Sequence, residues 1–318
     1  MNVIRDSDAH VAEQPSVVGI GVFDGVHLGH QRVIATVREL ADQRRAQAVI
    51  VTFDPHPARV LAPLRAPNSI ATIGQRMESF TRLGVDRTRI ITFTNEFASE
   101  SAIDFIERVL IRELRVLHVV VGEDFHFGHD REGDVALLES EGDARGFMVT
   151  AAPIYGARTR WSSTVVRQAL AQGNLELANA TLGRPFVLRG IVEHGDARGG
   201  DLGFPTANLS LSPHQQLPAL GIYAGAVKTS DATWWPAAIS VGTRPQFYEA
   251  GPLLVEVHIP GFHGDLYDME LDVAFLRRLR GEMTFSALSE LVAQMGHDVV
   301  QTLEIFKIFT PAAYPLLG

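Results

Sequence analysis

The chain has 318 residues, 46% of them hydrophobic, and a formal net charge of -9. This length exceeds the usual size of one domain, so we expect two hydrophobic cores. The acidic balance argues against a nucleic-acid partner, because such proteins need a surplus of Lys and Arg. No Cys occurs, which excludes disulfides, thiolate catalysis and Cys-ligated metal sites.

The amino-terminal segment carries acidic side chains and lacks the apolar stretch of a signal peptide. No run of 18 apolar residues indicates a membrane span. We therefore expect a cytoplasmic protein with no membrane partner. The sequence leaves open whether the chain forms a homo-oligomer.

The first half alternates apolar, β-branched runs with amphipathic stretches. The runs occupy residues 17–22, 48–53, 89–93, 118–121 and 147–151. Between the first two runs, apolar residues at three- and four-residue steps predict a helix over 31–41. This alternation is typical of a mostly parallel sheet, so we predict a doubly wound α/β domain over residues 1–182.

The pattern changes near Gly183, where we place the boundary of a second domain, 183–318. Its β-like runs occupy residues 186–192, 221–227, 237–241, 253–259 and 271–275. Turn-forming residues rather than helices separate these runs, which predicts an antiparallel barrel or sandwich. Apolar residues at helical spacing then predict a final helix over 285–306, with Thr284 as its N-cap.

The first chemical motif, GVFDGVHLGH at 21–30, follows an apolar run and precedes the first predicted helix. Ligands bind at such strand-to-helix turns in open α/β sheets. Gly29, between His27 and His30, lets the chain approach a ligand closely, and the helix that follows offers backbone N–H groups to phosphate. The motif therefore predicts an anion site.

Four further segments accompany this motif: VTFDPHP at 51–57, VGEDFHFG at 121–128, Gly133-Asp134 and RWSSTVVR at 160–167. With them the chain resembles the nucleotidyltransferases that carry a His-x-Gly-His signature. More narrowly, it resembles the bacterial bifunctional riboflavin kinase/FAD synthetase family. The resemblance implies a Rossmann-like domain in which the phosphate of FMN attacks the α-phosphorus of ATP, giving FAD and pyrophosphate.

The resemblance also implies roles for individual residues of this half. The residues expected to neutralise charge on the transferring group are His27, His30 and Arg167. The expected ATP contacts are Gly21, Phe23, Asp24, Gly29, Arg160, Ser163 and Thr164. The expected flavin-pocket residues are Phe53, Pro55, His56 and Asp124, although His56 alone is equally well explained as a histidine that caps a turn. Because the attacking phosphate is already an anion, the reaction needs positioning and charge stabilisation rather than a base.

The second motif, HGDARGGDLGFPTANL at 194–209, is the riboflavin kinase signature of the same family. Its glycines permit backbone N–H groups to converge on phosphate, which predicts ATP contacts at Gly195, Arg198, Gly199 and Gly203. Thr206 and Asn208 are two residues apart and so share one face of a strand, where their oxygens suit Mg²⁺. The expected cofactors are thus ATP and Mg²⁺, with riboflavin and FMN as flavin substrates.

Downstream, Glu256 lies in an alternating run, LLVEVHI, at 253–259. The resemblance assigns it as the general base for a riboflavin hydroxyl that attacks the γ-phosphorus of ATP, a neutral nucleophile for which a base is chemically sensible. It implies flavin-pocket roles for Arg244 and Tyr267, and a six-stranded antiparallel barrel with a C-terminal helix. Asp268 departs from the family, which often has Gly there.

Three alternatives stay open from the sequence. His-x-Gly-His does not specify the acceptor, so a transferase acting on phosphopantetheine or phosphoethanolamine is one, although the PTAN segment at 205–208 argues against it. A flavin-binding sensor or storage protein that has lost turnover is another, against which the intact polar residues of both motifs count. The third is a chain that retains only one of the two activities.

Overall fold

The computed structural model describes residues 1–6, 12–153, 160–194, 202–243 and 253–317. The chain forms two compact units. One comprises Met1–Asn68 and Ile73–Ser163, and the other Ser69–Thr72 and Thr164–Gly318. The predicted limit at Gly183, which divides the chain by activity, stays a prediction.

The first unit is built on a six-stranded parallel sheet. Its strands are β1 (Asn2–Ile4), β2 (Ser16–Ile20), β3 (Gln47–Asp54), β4 (Arg87–Thr92), β5 (Val116–Gly122) and β6 (Met148–Ala152). They lie in the order β1-β4-β3-β2-β5-β6, and every neighbouring pair is parallel. Five of these strands match the predicted runs. The edge strand β1 was not predicted, because it has only three residues and two of them are exposed.

Helices cover both faces of this sheet, as a doubly wound fold requires. They are α1 (Leu28–Arg44), α2 (Pro57–Leu61), α3 (Ile73–Arg82), α4 (Asn95–Ala98), α5 (Ala102–Phe105), which continues as a π-helical segment (Ile106–Glu113), and α6 (Val135–Arg145). Short 3-10 turns occupy Pro63–Arg65 and His129–Arg131. On one face, strand residues such as Val18 and Val49 pack in one core with the π-helical segment. On the other face lies α1, which buries Ile34, Val37 and Ala41.

The second unit contains a closed six-stranded antiparallel barrel. Its strands are β7 (Phe186–Glu193), β8 (Thr206–Leu211), β9 (Gly221–Lys228), β10 (Trp234–Thr243), β11 (Leu253–His258) and β12 (Glu270–Arg280). They close in the order β10-β11-β8-β7-β12-β9. Helices α7 (Ser163–Ala171) and α8 (Leu175–Leu182) precede the barrel, and buried apolar residues of both share one core with its inward-facing side chains.

The C-terminal helix α9 (Leu288–Lys307) packs on the barrel, and a 3-10 turn (Pro311–Ala313) follows it. The prediction of Thr284 as N-cap is wrong, because the helix begins at Leu288 and Ala287 is its N-cap. Instead, the carboxylate of Glu290 accepts hydrogen bonds from the backbone N–H and hydroxyl of Ser286. Among the described residues, no helix is both long and apolar enough to span a membrane.

Candidate active sites

The His-x-Gly-His turn lies where the strand order of the sheet changes direction. From β2 the chain proceeds to β3 and β4 on one side, and later to β5 and β6 on the other. In open α/β sheets this switch point opens a crevice at the carboxyl ends of the strands, and ligands bind there. The turn begins directly after β2, so the fold places it at this crevice.

The turn has an unusual backbone. Phe23 and Val26 adopt left-handed conformations, with φ of 53° and 42°, and Gly25 between them has φ of 78°. A left-handed conformation at a residue other than glycine costs about 1–3 kcal/mol and persists only where the surroundings impose it. Here Phe23 is 2% exposed, and its ring packs edge-on against Phe80 at 5.6 Å between ring centroids. Burial of this ring holds the turn in shape.

The two histidines of the motif form a stacked pair at the start of α1. Their ring centroids are 3.6 Å apart and their planes differ by 22°. His27 is the N-cap residue of α1, and its Nδ1 accepts a hydrogen bond from the backbone N–H of His30 at 3.3 Å. A ring nitrogen that accepts carries no proton, so neutral His27 has its proton on Nε2 and can donate from that edge. Gly29 suits this packing, since a Cβ there would lie 3.1 Å from Cε1 of His27 and the ring would have to shift by a few tenths of an ångström.

Ser163, the last residue of the first compact unit, contacts this turn. The hydroxyl of Ser163 donates a hydrogen bond to the backbone carbonyl of Asp24 at 2.9 Å. Asp24 itself is 4% exposed. Thr164 and Arg167 follow Ser163 on α7, within the second compact unit, and their predicted phosphate contacts stay a prediction.

The flavin-pocket residues predicted for the first unit lie at the carboxyl ends of β3 and β5. Phe53 is near the end of β3, and its ring lies edge-on to Phe93 at 5.8 Å between centroids. Pro55 follows a cis peptide bond. Asp124, just after β5, accepts a hydrogen bond from Arg160 at 2.7 Å in an exposed ion pair. The structure thus joins one predicted flavin residue to one predicted ATP residue.

His56 caps helix α2, because its Nδ1 accepts a hydrogen bond from the backbone N–H of Ala58 at 3.1 Å. The capping alternative raised from the sequence is therefore realised. A cap at this position does not conflict with ligand contact from the other ring edge. The flavin role of His56 stays a prediction.

An aromatic cluster that was not predicted from the sequence surrounds Phe53. Consecutive ring contacts at 5.4 to 6.2 Å between centroids connect six phenylalanines of the first unit, although the other five are all far from Phe53 in sequence. These are Phe53, Phe93, Phe97, Phe105, Phe127 and Phe125. The tertiary fold brings together the strands, helices and loops that carry them, so the sequence alone carried no signal that they form one group.

In the second unit, the candidate metal ligands and the candidate base share the outer face of the barrel. Val255 and Val257 of β11 and Leu209 of β8 point into the core. The alternating residues therefore point outward, and the register pairs Glu256 with Asn208 and His258 with Thr206. Directly paired residues on antiparallel strands have Cβ atoms about 4.5–5.5 Å apart. The predicted base and the predicted metal ligands are thus neighbours.

This outer face also carries a carboxylate that was not predicted from the sequence. Glu193, the last residue of β7, pairs with Asn208 on the side opposite Glu256. Asn208 thus lies between two carboxylates on adjacent strands. The alternating burial of β7 places Glu193 outward, but its partner strand could not be read from the sequence.

Two open clefts lie next to these residues. A cleft of about 420 Å³ adjoins Asn208, Glu193, His194 and Gln215, and we call it the Asn208 cleft. A cleft of about 480 Å³ adjoins Thr206, Phe262, Leu266 and Tyr267, and we call it the Thr206 cleft. The rings of His194 and Tyr267 stack at 3.7 Å between centroids. This stacked pair therefore lies between the two clefts.

Two further residues of the second unit that the sequence singled out have left-handed backbone conformations. Gly203 has φ of 84°, which favours glycine over other residues. Asp268, where the family often has Gly, also has a positive φ, 59°, and Asp tolerates this conformation better than most residues. The predictions for Gly195, Arg198, Gly199 and Arg244 lie outside the described residues.

Comparison with known proteins matches each half of the chain to a protein family. A family model described as FAD synthetase matches residues 9–165, and one described as riboflavin kinase matches residues 182–306. A bifunctional riboflavin kinase/FMN adenylyltransferase of Pseudomonas fluorescens is 40% identical over 286 residues, which cover 89% of this chain and 90% of that protein. The chain belongs to the bifunctional riboflavin kinase/FMN adenylyltransferase family.

Other members of this family match to a similar extent. The protein of the same name from Escherichia coli K12 is 36% identical, with 94% of this chain and 96% of that protein covered. The one from Bacillus subtilis is 33% identical, with 92% and 93% covered. Membership in the family, the Rossmann-like first domain and the antiparallel barrel predicted from the sequence are thereby confirmed.

A solved structure covers almost the whole chain. It is described as a macrolide-efflux protein from Streptococcus pneumoniae, is 30% identical, and superposes with a TM-score of 0.86 over 98% of this chain and 100% of that one. The efflux role in that description applies to that protein. The riboflavin kinase/FMN adenylyltransferase family is the assignment on which both family models and the curated relatives agree.

Proposed function

We propose that this chain carries out both reactions of its family, phosphorylation of riboflavin to FMN and adenylylation of FMN to FAD. The observation that carries the proposal is the presence of two separate groups of chemically suitable side chains, each within the matching family model. One group is the His27–His30 turn on the parallel sheet. The other is the Asn208–Glu256 pair on the barrel.

We allocate adenylylation to the domain of residues 1–182. The FMN phosphate attacks the α-phosphorus of ATP, a new P–O bond forms, and pyrophosphate leaves with the electrons of the broken bond. Both reactants are anions, so the protein must offset negative charge without supplying a base. The N-terminus of α1 provides backbone N–H groups and positive dipole character. His27 adds an N–H donor from Nε2, and the stacked His30 adds a second imidazole beside it.

Phosphorylation of riboflavin is allocated to residues 183–318. Here the nucleophile is an alcohol, and its attack on the γ-phosphorus of ATP requires loss of a proton. Glu256 is the base, and its neighbour Asn208 lies on the adjacent strand. Breaking the β–γ phosphate bond leaves ADP, and the proton passes to the carboxylate. Because Glu256 and Asn208 share one face, a hydroxyl bound at Glu256 lies beside a phosphate bound at Asn208.

The donors on this face fit a magnesium ion. Thr206 and Asn208 provide two neutral oxygens on one side of β8. In the part of the chain that the structure describes, no group of three or more His, Asp or Glu side chains is able to hold a metal. Mg²⁺ prefers oxygen ligands and is usually held by few protein groups together with phosphates and water. Thr206 and Asn208 would hold it, and its charge would offset that of the ATP phosphates.

The two clefts beside these residues match the need for two substrates. Both clefts have apolar residues in their linings, but the rings of Phe262 and Tyr267 line only the Thr206 cleft, whereas the lining of the Asn208 cleft combines leucines with serines and Glu193. A planar ring system gains most from an apolar, aromatic lining. Tyr267, predicted as a flavin-pocket residue, lines the Thr206 cleft.

The test is to incubate the purified protein with riboflavin, ATP and Mg²⁺, and to resolve the flavins by chromatography over time. The proposal predicts that FMN appears first and FAD follows, with MgCl₂ required for both steps. FMN without FAD would leave only the kinase. Unchanged riboflavin, together with bound flavin, would favour a sensor or storage protein. A cytoplasmic location stays a prediction, to be checked by cell fractionation.

A further inference from the structure

A buried arginine lies directly behind the His27–His30 turn, and none of the predicted functions uses it. Arg76, on α3, is 6% exposed. Its Nη1 donates to the carbonyl of Val22 at 2.8 Å and to the hydroxyl of Thr52 at 3.2 Å. Both of its Nη atoms also donate to the carbonyl of Phe53, at 3.4 and 3.5 Å. One guanidinium therefore connects the ends of β2 and β3.

These two strand ends lead into the segments that carry the predicted site residues. Val22 directly precedes Phe23, the first left-handed residue of the turn. Phe53 precedes Asp54 and Pro55, which lead into the cap of α2. The hydroxyl of Thr52 also donates to the Val22 carbonyl, at 3.0 Å. Arg76 and Thr52 thus fix the same carbonyl from two directions.

The position of this cation is costly for the folded protein. Burial lowers the pKa of the Arg76 guanidinium, although the charges of Asp24 and Asp54 act in the opposite direction. Within the described parts of the chain, no carboxylate forms an ion pair with Arg76, and its buried Nε has no hydrogen-bond partner. A buried guanidinium without a paired carboxylate is unusual in proteins. Hydrogen bonds to the Val22 and Phe53 carbonyls offset part of this cost, so the structural contribution of the side chain and the contribution of its charge have to be tested separately.

We propose that Arg76 is a positioning residue for adenylyl transfer, which holds the carboxyl ends of β2 and β3 at a fixed separation and places a buried positive charge behind the ATP-binding turn. The proposal rests on the proposed function of this unit. It requires both the charge and the shape of arginine, because the planar guanidinium presents several donors to the Val22 and Phe53 carbonyls in a fixed geometry. A lysine keeps the charge, but its ammonium is a compact group on a flexible stem and does not reproduce that geometry.

The experiment compares Arg76→Lys and Arg76→Met with the wild-type chain, measuring both reactions in each protein. FMN is supplied directly for adenylylation, so kinase turnover serves as an internal control. The matched control variant is Arg82→Met, an exposed arginine on the last turn of the same helix. Thermal unfolding of each variant reports whether the fold persists.

We expect adenylylation kcat to fall in the order wild type, Arg76→Lys, Arg76→Met, with at least a tenfold loss for Arg76→Met. Kinase kcat should stay within twofold in all variants, and Arg82→Met should match the wild type in both reactions. A purely structural role would lower thermal stability without producing this order in kcat.

The inference is overturned if folded Arg76→Lys adenylylates FMN as fast as the wild type, or if adenylylation and kinase turnover fall together. If Arg76→Met does not fold, the Arg76→Lys comparison alone decides. A wild-type protein that makes no FAD from FMN would instead refute the proposed function. The failure of the inference and the failure of that function are therefore distinguishable.

Discussion

The two candidate sites are assembled in different ways. In the first unit the histidines are three residues apart, and a single strand-to-helix turn brings them together. In the second unit Asn208 and Glu256 are distant in sequence, and the pairing of β8 with β11 makes them neighbours. A site within one turn depends on local backbone conformation, whereas a site across strands depends on the register of the barrel.

The chemistry of the two reactions follows the same division. The nucleophile of adenylylation is already an anion, and the site proposed for it combines imidazoles and a helix N-terminus, with a buried guanidinium behind them. The nucleophile of the kinase reaction is a neutral alcohol, and the site proposed for it contains a carboxylate able to accept a proton. Substitutions that remove one kind of group should therefore separate the two activities.

Replacement of the proposed base gives the largest expected effect. Glu256→Gln keeps the size of the side chain but cannot accept the proton, and general bases contribute roughly 10²–10⁴-fold to rate. We expect kinase kcat to fall by about that factor, while FAD formation from supplied FMN stays within twofold. Glu270→Gln, which changes an exposed glutamate on β12, is the control. Loss of adenylylation as well would contradict the separation of the sites.

Replacement of His30 should have the opposite pattern. His30→Ala removes a ring that stacks on His27, and the loss of one group that stabilises a developing charge costs about 10²–10³-fold. FAD formation should fall by this factor, and FMN formation from riboflavin should persist. His129→Ala, an exposed histidine of the same unit, should be neutral in both assays. A kinase loss as large as the adenylylation loss would disprove the assignment.

Removal of a proposed metal ligand should lower kinase activity, and a higher Mg²⁺ concentration should restore that activity. Asn208→Ala deletes one of two oxygens on the outer face of β8, and we expect the Mg²⁺ concentration for half-maximal kinase activity to rise about tenfold or more. The measurement is a titration of both activities with MgCl₂, with Asn95→Ala as control. An unchanged magnesium dependence of the kinase would exclude Asn208 as a ligand.

A methyl group at Gly29 should disturb the first site by a smaller amount. In Gly29→Ala the added Cβ would lie 3.1 Å from the ring of His27, which must move by a few tenths of an ångström. Small displacements of catalytic groups are costly, and about tenfold slower adenylylation is expected. Gly296→Ala, where an added Cβ meets no atom within 4 Å, is the matched control. Equal rates for the two variants would show that the His27 ring position is unimportant.

The smallest expected effect concerns the stability of the first unit in acid. Burial, and then the charge of Arg44, lower the pKa of His118 on β5 below its ordinary value of 6.5. Below that value the unfolded chain binds a proton that the folded unit does not, so His118 lowers stability as the pH falls from 7 towards 5. We expect the urea midpoint to fall less over this range in His118→Gln than in the wild type. Identical pH dependence would contradict this.

The sequence predicted the local features of this protein well. Apolar runs predicted five of the six parallel strands, and the His-x-Gly-His turn was predicted at the end of one of these strands. Both predictions were possible because an apolar run and a His-x-Gly-His motif each occupy only a few consecutive residues. The left-handed conformations of Phe23 and Val26 could not be predicted, since a β-branched or bulky residue ordinarily avoids them. Burial of the Phe23 ring outweighs that preference.

Non-local features required the three-dimensional structure. The resemblance implied roles for Glu256 and Asn208, but their pairing, and the pairing of Glu193 with Asn208, depends on which strands adjoin in the barrel. Arg76 carried no signal at all, because an arginine within a helical pattern is usually solvent-exposed. Its burial behind the turn follows only from the packing of α3 against the ends of β2 and β3.

The central claim, that two independent sites act in sequence, is tested most directly by mixing two inactivated proteins. Glu256→Gln and His30→Ala are each incubated with riboflavin, ATP and Mg²⁺, alone and together, and the flavins are resolved over time. Alone, the first should leave riboflavin unchanged and the second should stop at FMN. Together they should make FAD, as FMN released by one protein is adenylylated by the other. A mixture of folded variants that makes no FAD, although each retains its single activity on supplied substrate, would contradict the account.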